Sequence, residues 1–143
     1  MNVRELLQSK KDSVVTIDVE DTIGAAAHKM SAHKIAALVV MKDDVPVRII
    51  SEKDIVRSLA DDGPQAGRRV IATLPSAGLE GISPDATLKQ AMALMTYSRH
   101  RHLMVTEGNR LVGILSLGDM VKSLLSELEL EKAVLQDIYM AAH

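Results

Sequence analysis

The sequence of 143 residues contains no cysteine, no phenylalanine and no tryptophan, and it has two tyrosines. Without cysteine the chain cannot form disulfides, thiolate zinc sites or a cysteine nucleophile. Without a set of aromatic side chains it lacks the platforms on which single-stranded nucleic acids stack. The core must therefore be built from aliphatic side chains and from methionine, which is flexible enough to fill irregular gaps.

The sequence also has no large excess of basic or acidic residues and no extended hydrophobic segment. The formal net charge of −2 gives no general attraction to DNA, RNA or an anionic membrane. No apolar run approaches the roughly 20 residues that a membrane-spanning helix needs. Residues 1–7 carry charge where a signal peptide would be apolar. We therefore expect a cytoplasmic protein that binds neither nucleic acid nor membrane.

The feature that organises the sequence is an internal repeat. A shift of 65 residues, the separation of Asp54 and Asp119, aligns the two halves without a gap. A register kept over such a distance indicates a duplicated structural unit. The matched pairs include Ile17 with Ile82, Thr22 with Thr87, Ala26 with Ala91, Met30 with Met95, Leu38 with Leu103, Val40 with Val105, and Ser51 with Ser116. We expect a first domain at 1–63, a linker at 64–78 and a second domain at 79–143.

Each half has the same predicted order of elements. A short β run, residues 14–17 in the first half, is followed by a helix whose first turn can be capped by Thr22 or by Thr87. Two apolar strands and a second helix follow, with the strands at 37–41 and 45–50, then at 103–106 and 111–115. The order β-α-β-β-α predicts an α+β fold of tandem repeats related by a pseudo-twofold axis. Two related clefts should then lie between the copies.

The pattern Ser-x-x-Asp occurs where each copy's last strand meets its last helix, at Ser51 and Asp54 and again at Ser116 and Asp119. One interpretation is a helix N-cap with an acidic residue in the first turn. The other is a ligand site, because such a turn directs backbone N–H groups at one point, which suits a phosphate. An ionised carboxylate one turn further on can accept hydrogen bonds from both hydroxyls of a ribose. Its occurrence twice beside related clefts favours ligand binding.

At these positions the sequence resembles a known family. Residues 111–121 and 47–56 resemble the strand–turn–helix signature of cystathionine-β-synthase (CBS) domains, and the whole chain is similar to bacterial stand-alone CBS-pair proteins. The resemblance implies a regulatory module that binds an adenine nucleotide such as AMP, ADP, ATP or NAD(H), and an unidentified protein that it regulates. The sequence shows no nucleophile–base pair, P-loop or paired-carboxylate site, so we expect no enzyme. The alternative is a structural or adaptor protein whose clefts are vestigial.

The resemblance also implies roles for individual residues. Asp54 and Asp119 would bind ribose hydroxyls, while Ser51 and Ser116 would lie beside the phosphates. In the γ subunit of AMP-activated protein kinase a His-Arg pair before the second strand reaches the nucleotide phosphates. The corresponding ligand-binding pair here is His100 and Arg101.

We expect His100 and Arg101 to serve the cleft of Asp119, which lies in the same repeat. Residues 35–36, isoleucine and alanine, occupy the matching place in the first repeat, so the two clefts should differ in charge. The family's glycine in the last strand is present as Gly113 but is replaced by Arg48 in the first copy.

Two segments are expected to contact adenine, residues 9–15 in one cleft and 75–80 in the other. His100 and His102 are two residues apart, and without a third ligand nearby we expect surface or phosphate-facing residues and no metal site.

The last predicted helix has no stop signal. From Leu117 its apolar pattern continues to Tyr139 with neither glycine nor proline after Gly118. A helix of this length exceeds what one small sheet can cover, and a long apolar stripe left exposed is typical of an interface. We expect a homodimer with this helix in the contact. The alternative is that the helix folds back onto residues 3–7 of the same chain.

Overall fold

The computed structural model describes residues 1–10, 13–75 and 81–142. It confirms the α+β fold and the repeated order of elements, with a short helix added at the start and a long one at the end. The elements in chain order are α1 (Val3–Ser9), β1 (Thr16–Asp18), α2 (Ile23–His33), β2 (Ala37–Lys42), β3 (Val45–Ser51), α3 (Glu52–Asp62), two 3₁₀ turns (Gly63–Arg68 and Ile71–Thr73), β4 (Gly81–Ile82), α4 (Leu88–Ser98), β5 (His102–Glu107), β6 (Arg110–Ser116) and α5 (Leu117–Ala142).

In the described residues, six strands form two three-stranded sheets of the same design. In the first sheet β1 runs parallel to β2 and β2 runs antiparallel to β3, and in the second β4, β5 and β6 repeat this arrangement. The two sheets also share an irregularity in strand pairing, since the register shifts at Val40/Met41 in the first sheet and at the matching Val105/Thr106 in the second. Asp43 and Asp44, both at positive φ, close the β2–β3 hairpin, as the right-handed strand twist favours.

The segment before each repeat packs on the other repeat. In α1, Val3 and Leu6 are buried in the core of the second sheet, and the amide of Val3 donates to the carbonyl of Ala86 at 2.9 Å. In the segment predicted as a linker, Ala66 and Ile71 are buried on the first-repeat side, and Ile71 packs in the core of the first sheet. Residues 76–80 of that segment lie outside the described residues. The limits 1–63, 64–78 and 79–143 stay a prediction, but the packing of α1 crosses between them.

A third, smaller core joins the two sheets. It contains Ala37 and Val39 of β2, Ile49 of β3 and Met104 of β5, all of them buried. Each sheet therefore covers one face with its own helices and places the other face against its partner sheet. This contact brings the first residues of β2 and β5 close to each other and to the ends of β3 and β6.

Helix α5 is anchored at its start and leaves the body further on. Met120 is fully buried in the second core, and Leu117 packs against that core. Every residue from 125 to 142 is exposed, including apolar side chains such as Leu128 and Leu135. Ser123 contacts Met1, so the early part of α5 lies beside the N-terminal segment. Within the described residues, no helix is both long and apolar enough to cross a membrane.

One close backbone approach requires glycine. Gly24 in α2 faces the first 3₁₀ turn, and a Cβ atom placed on it would lie 2.9 Å from the carbonyl oxygen of Gly67. A carbonyl oxygen in a packed turn cannot move away as a flexible side chain could. Glycine at this position therefore permits the turn to pack on α2.

We predict that Gly24→Ala lowers the free energy of unfolding by about 1–3 kcal/mol, the usual cost of overpacking a tight contact. The higher helix propensity of alanine alone would raise the free energy of unfolding by about 1 kcal/mol, so the close contact reverses the sign of the expected change. Gly118→Ala in α5 is the matched control, because its Cβ would meet nothing closer than 3.8 Å. Urea denaturation followed by circular dichroism measures both, and equal stabilisation of the two variants would contradict the prediction.

Candidate functional site

Both Ser-x-x-Asp turns are helix N-caps in the structure. At the start of α3, the amide of Ser51 donates to Oδ2 of Asp54 at 2.8 Å. At the start of α5, the amide of Ser116 donates to Oδ2 of Asp119 at 3.1 Å, and the amide of Asp119 donates to the Ser116 hydroxyl at 3.0 Å. These bonds fix the rotamer of each carboxylate, so the capping role also orients the group that a ligand would meet.

A cation lies against each of the two carboxylates. Lys10, the residue that ends α1, donates from Nζ to Oδ2 of Asp119 at 2.6 Å and to the carbonyl of Ile114 at 3.1 Å. Arg48 of β3 places Nη2 at 3.6 Å from Oδ1 of Asp54 and donates from Nη1 to the carbonyl of Pro75 at 2.8 Å. Arg48, which replaces the glycine of the signature, therefore forms an ion pair rather than filling the cleft.

The first cavity, which we call the Asp119 cleft, has a volume of about 240 Å³. Its walls are mostly apolar and come from α1, the segment before β1, the start of β2 and the strand β6. The polar or charged side chains in it are Lys10, Ser13, His102, Ser116 and Asp119.

The second cavity, which we call the Asp54 cleft, has a volume of about 540 Å³. The repeat relates it to the first, but most of its lining residues carry polar or charged side chains. It is lined by Ala36, Ile49, Ser51, Glu52, Lys53, Asp54, Arg99, His100, Arg101 and His102.

The clefts are built crosswise, so the expected pairing of Arg101 with Asp119 is wrong. His100 and Arg101 line the Asp54 cleft, whereas their counterparts Ile35 and Ala36 line the Asp119 cleft, and Ala36 borders both. The physical reason is the docking of the sheets, which sets the start of β5 against the end of β3. Arg101 also borders a shallow outer groove with Ser116 and Leu117, but Asp119 does not line that groove.

Two titratable groups in the Asp119 cleft have displaced pKa values. Burial raises the pKa of Asp119, but hydrogen bonds from Lys10 and Ser116 and the charge of Lys10 outweigh it, and the net pKa is lowered. Burial lowers the pKa of His102, and Lys10 and Arg101 lower it further, against the opposing effect of Asp119 and Glu52. At neutral pH the cleft therefore holds an ionised Asp119 beside a largely neutral His102.

Sequence reasoning missed several lining residues. Lys10, Lys53 and Arg99 line the clefts, and none of them is among the residues that the sequence motifs single out. The 65-residue register could have flagged Lys53, because its counterpart is Gly118. Lys10 carried no such signal, since its role depends on how α1 packs on the other repeat.

The segments expected to contact adenine are partly described. Ser13, Val14 and Val15 line the Asp119 cleft, and Pro75 accepts a hydrogen bond from Arg48. Residues 11–12 and 76–80 lie outside the described residues. Among the side chains described, there is no group of three or more histidine, aspartate or glutamate residues that could hold a metal ion.

Comparison with known proteins identifies the class that this fold and these clefts define. A family model described as CBS domain matches residues 3–61 and 71–126. The chain belongs to the CBS-domain family and carries a pair of these domains, a regulatory module typical of nucleotide binding.

Individual relatives agree with this assignment. The crystal structure of the CBS-domain-containing protein ATU1752 from Agrobacterium tumefaciens is 36% identical with a TM-score of 0.80, covering 86% of this chain and 98% of that one. YhcV of Bacillus subtilis is 29% identical over 124 residues, which is 84% of this chain and 88% of YhcV. The mitochondrial CBSX3 of Arabidopsis thaliana is 29% identical over 113 residues, and the chain matches 55% of its length.

We predict that Lys10→Met raises the pKa of Asp119, because burial would then act without the hydrogen bond and charge of Lys10. In the wild type the lowered pKa stabilises the fold above the unfolded-state pKa of about 3.9, and this stabilisation is lost as the pH falls through the folded-state pKa. Lys10→Met should therefore show a smaller loss of stability on acidification. Carboxyl NMR titration and unfolding at several pH values measure both effects, with Lys89→Met on the exposed side of α4 as control. An unchanged Asp119 titration would refute the role of the ion pair.

Proposed function

We propose that this protein is an adenine-nucleotide-binding regulatory module, with AMP, ADP, ATP or NAD(H) as the class of ligand. The nucleotide would occupy the clefts between the two CBS repeats and alter how the module contacts a regulated protein. The observation that carries the proposal is the pair of cavities at equivalent strand–helix turns, each with one oriented carboxylate.

The chemistry of each turn fits a nucleoside. Asp54 and Asp119 are acceptors held by backbone amides, and an ionised carboxylate can take both hydroxyls of one ribose. Ser51 and Ser116 stand at helix starts, where N–H groups and the helix dipole favour phosphate. The apolar walls of the Asp119 cleft, from Val14 to Ile114, suit a flat base.

A role in regulation rather than catalysis fits the same residues. The two cleft carboxylates are held by helix caps and by ion pairs, Asp119 with Lys10 and Asp54 with Arg48. Ligand binding in such a site would change the packing between repeats without chemical conversion.

We predict that Asp119→Ala or Asp54→Ala weakens nucleotide binding by about 1.5–3 kcal/mol in its own cleft, the scale of hydrogen bonds to a charged group. Thermal-shift titration with AMP, ADP, ATP and NAD(H), followed by calorimetry, is the measurement. A ligand at 100 times its Kd should add about 2.7 kcal/mol to the apparent stability of the wild type. Absence of a shift with every nucleotide would favour the alternative of an adaptor with vestigial clefts.

We also propose that the protein is a homodimer in which α5 forms part of the contact. The family model ends at residue 126, whereas α5 continues to Ala142, about 24 Å further at 1.5 Å per residue. Leu128, Leu135 and Ile138 lie near one face of this extension and are 59–61% exposed. Val121, near the start of the same helix, is exposed as well, so the exposed apolar residues of α5 begin before the extension.

A second copy is the partner that this surface suits, because the apolar residues occur on one helix that can pair with itself about a twofold axis. The extension also carries Glu127 and Lys132, which are five residues apart. This is the spacing at which opposite charges meet across a parallel helix pair.

We predict a dimer at micromolar concentration that Leu135→Lys or Ile138→Lys weakens, because a buried unpaired charge would enter the contact. Ala133→Lys is the matched control on the opposite side of α5, and it should leave the dimer intact. Sedimentation velocity of the full chain measures the effect. A monomeric wild type would refute the homodimer, and equal behaviour of all three variants would remove α5 from the contact.

A further inference from the structure

Because the repeat relates the two clefts, each wall position of one has a counterpart in the other. The counterparts differ most in charge. At five positions the Asp54 cleft has a charged or titratable side chain where the matching residue is apolar or glycine. The pairs are Glu52 with Leu117, Lys53 with Gly118, His100 with Ile35, Arg101 with Ala36, and His102 with Ala37.

The charge balance of the Asp54 cleft is positive. Lys53, Arg99 and Arg101 line it together with two carboxylates, those of Glu52 and Asp54. One of these carboxylates is already paired, since Arg48 lies 3.6 Å from Asp54. The Asp119 cleft instead contains one lysine and one aspartate that form an ion pair at 2.6 Å.

The cations of the Asp54 cleft are also placed where an anion could reach them. Arg99 ends α4 in the left-handed conformation, with φ of 59°, and this reversal brings residues 99–101 to the cavity. Lys53 stands in the first turn of α3, whose N-terminus faces the same cavity. Arginine binds phosphate through paired charge-assisted hydrogen bonds, and a helix start adds N–H donors.

We propose that the Asp54 cleft is the site for a polyphosphate-bearing nucleotide, and that the Asp119 cleft receives a nucleoside or nucleoside monophosphate, because its one lysine is paired with Asp119 and the helix start at Ser116 offers room for a single phosphate contact. The binding of a nucleoside in this proposal rests on the proposed function. The binding of a polyphosphate is inferred independently, from the cations and the 540 Å³ volume of the Asp54 cleft. The two clefts of one chain would thus bind different classes of ligand. In the Asp54 cleft, Arg101 of the second repeat and Asp54 of the first repeat would contact the same nucleotide.

Calorimetry with ATP, adenosine and inorganic pyrophosphate as separate probes tests the proposal. In Arg101→Ala, which restores the residue of the matching position, ATP and pyrophosphate affinity should fall about tenfold or more, while adenosine changes by less than about twofold. Added salt should weaken ATP and pyrophosphate binding and spare adenosine. Arg57→Ala removes an exposed arginine of α3 outside the cavity lining and serves as the control for net charge.

A double-mutant cycle assigns the cleft. The loss of ATP affinity in Arg101→Ala should be non-additive with Asp54→Ala and additive with Asp119→Ala, because coupling requires residues that share a ligand. The reverse pattern, or equal losses for ATP and adenosine, would overturn the proposal.

The outcomes also separate this proposal from the nucleotide assignment. Adenosine binding without pyrophosphate binding would refute the polyphosphate site and leave the proposed function in place. Pyrophosphate binding through Arg101 with no gain from adenosine would support the anion site as one for free polyphosphate and refute the nucleoside part. A wild type that binds none of the three probes would refute both.

Discussion

The arrangement of both clefts depends on the contact between the two sheets, where Ala37, Val39, Ile49 and Met104 are buried together. Small side chains on β2 allow the sheets to approach closely, and close packing leaves few alternative registers. This contact fixes which strand start meets which helix start. The Ser-x-x-Asp turn of one repeat therefore borders a cavity that residues of the other repeat complete, and neither repeat holds a whole cleft.

The same contact gives the clefts a common wall. Ala36 and His102, at the starts of the paired strands, line both cavities. At this point the pseudo-symmetry is broken, because the counterpart of His102 is the buried Ala37. Burial holds His102 mostly neutral, and charges from both clefts act on its pKa, namely Asp119 and Lys10 from one side and Glu52 and Arg101 from the other. A charge that enters one cleft is thus felt at a side chain of the other.

Local features were predictable from the sequence, and the pairing of distant ones was not. The element pattern of each copy and the caps at Ser51 and Ser116 follow from periodicity and side-chain chemistry within about ten residues, and the 65-residue register shows that this pattern occurs twice. The structure confirms the elements that were predicted in this way. The placement of Arg101 depends instead on how the two sheets dock. The repeat alone does not determine this docking, because clefts formed within one copy and clefts formed between the copies would both preserve the symmetry of the repeat. The packing of α1 on the second repeat, and with it the position of Lys10, is a non-local contact of the same kind.

The ion pairs of Asp54 and Asp119 are compatible with ligand binding, because their free energies do not exceed those of the hydrogen bonds that a ligand would form. Ion pairs that water can still reach contribute about 0–1 kcal/mol, whereas hydrogen bonds from ribose hydroxyls to a carboxylate contribute about 1.5–3 kcal/mol. Lys10 and Asp119 are paired at 2.6 Å and keep only 21% and 27% of their side chains exposed, so their pairing belongs near the strong end of this range. Two hydroxyl hydrogen bonds would still match or exceed it once the displaced ammonium reaches solvent. Until that exchange, Lys10 keeps the pKa of Asp119 low, so the carboxylate is already in the ionised form that accepts both hydroxyls.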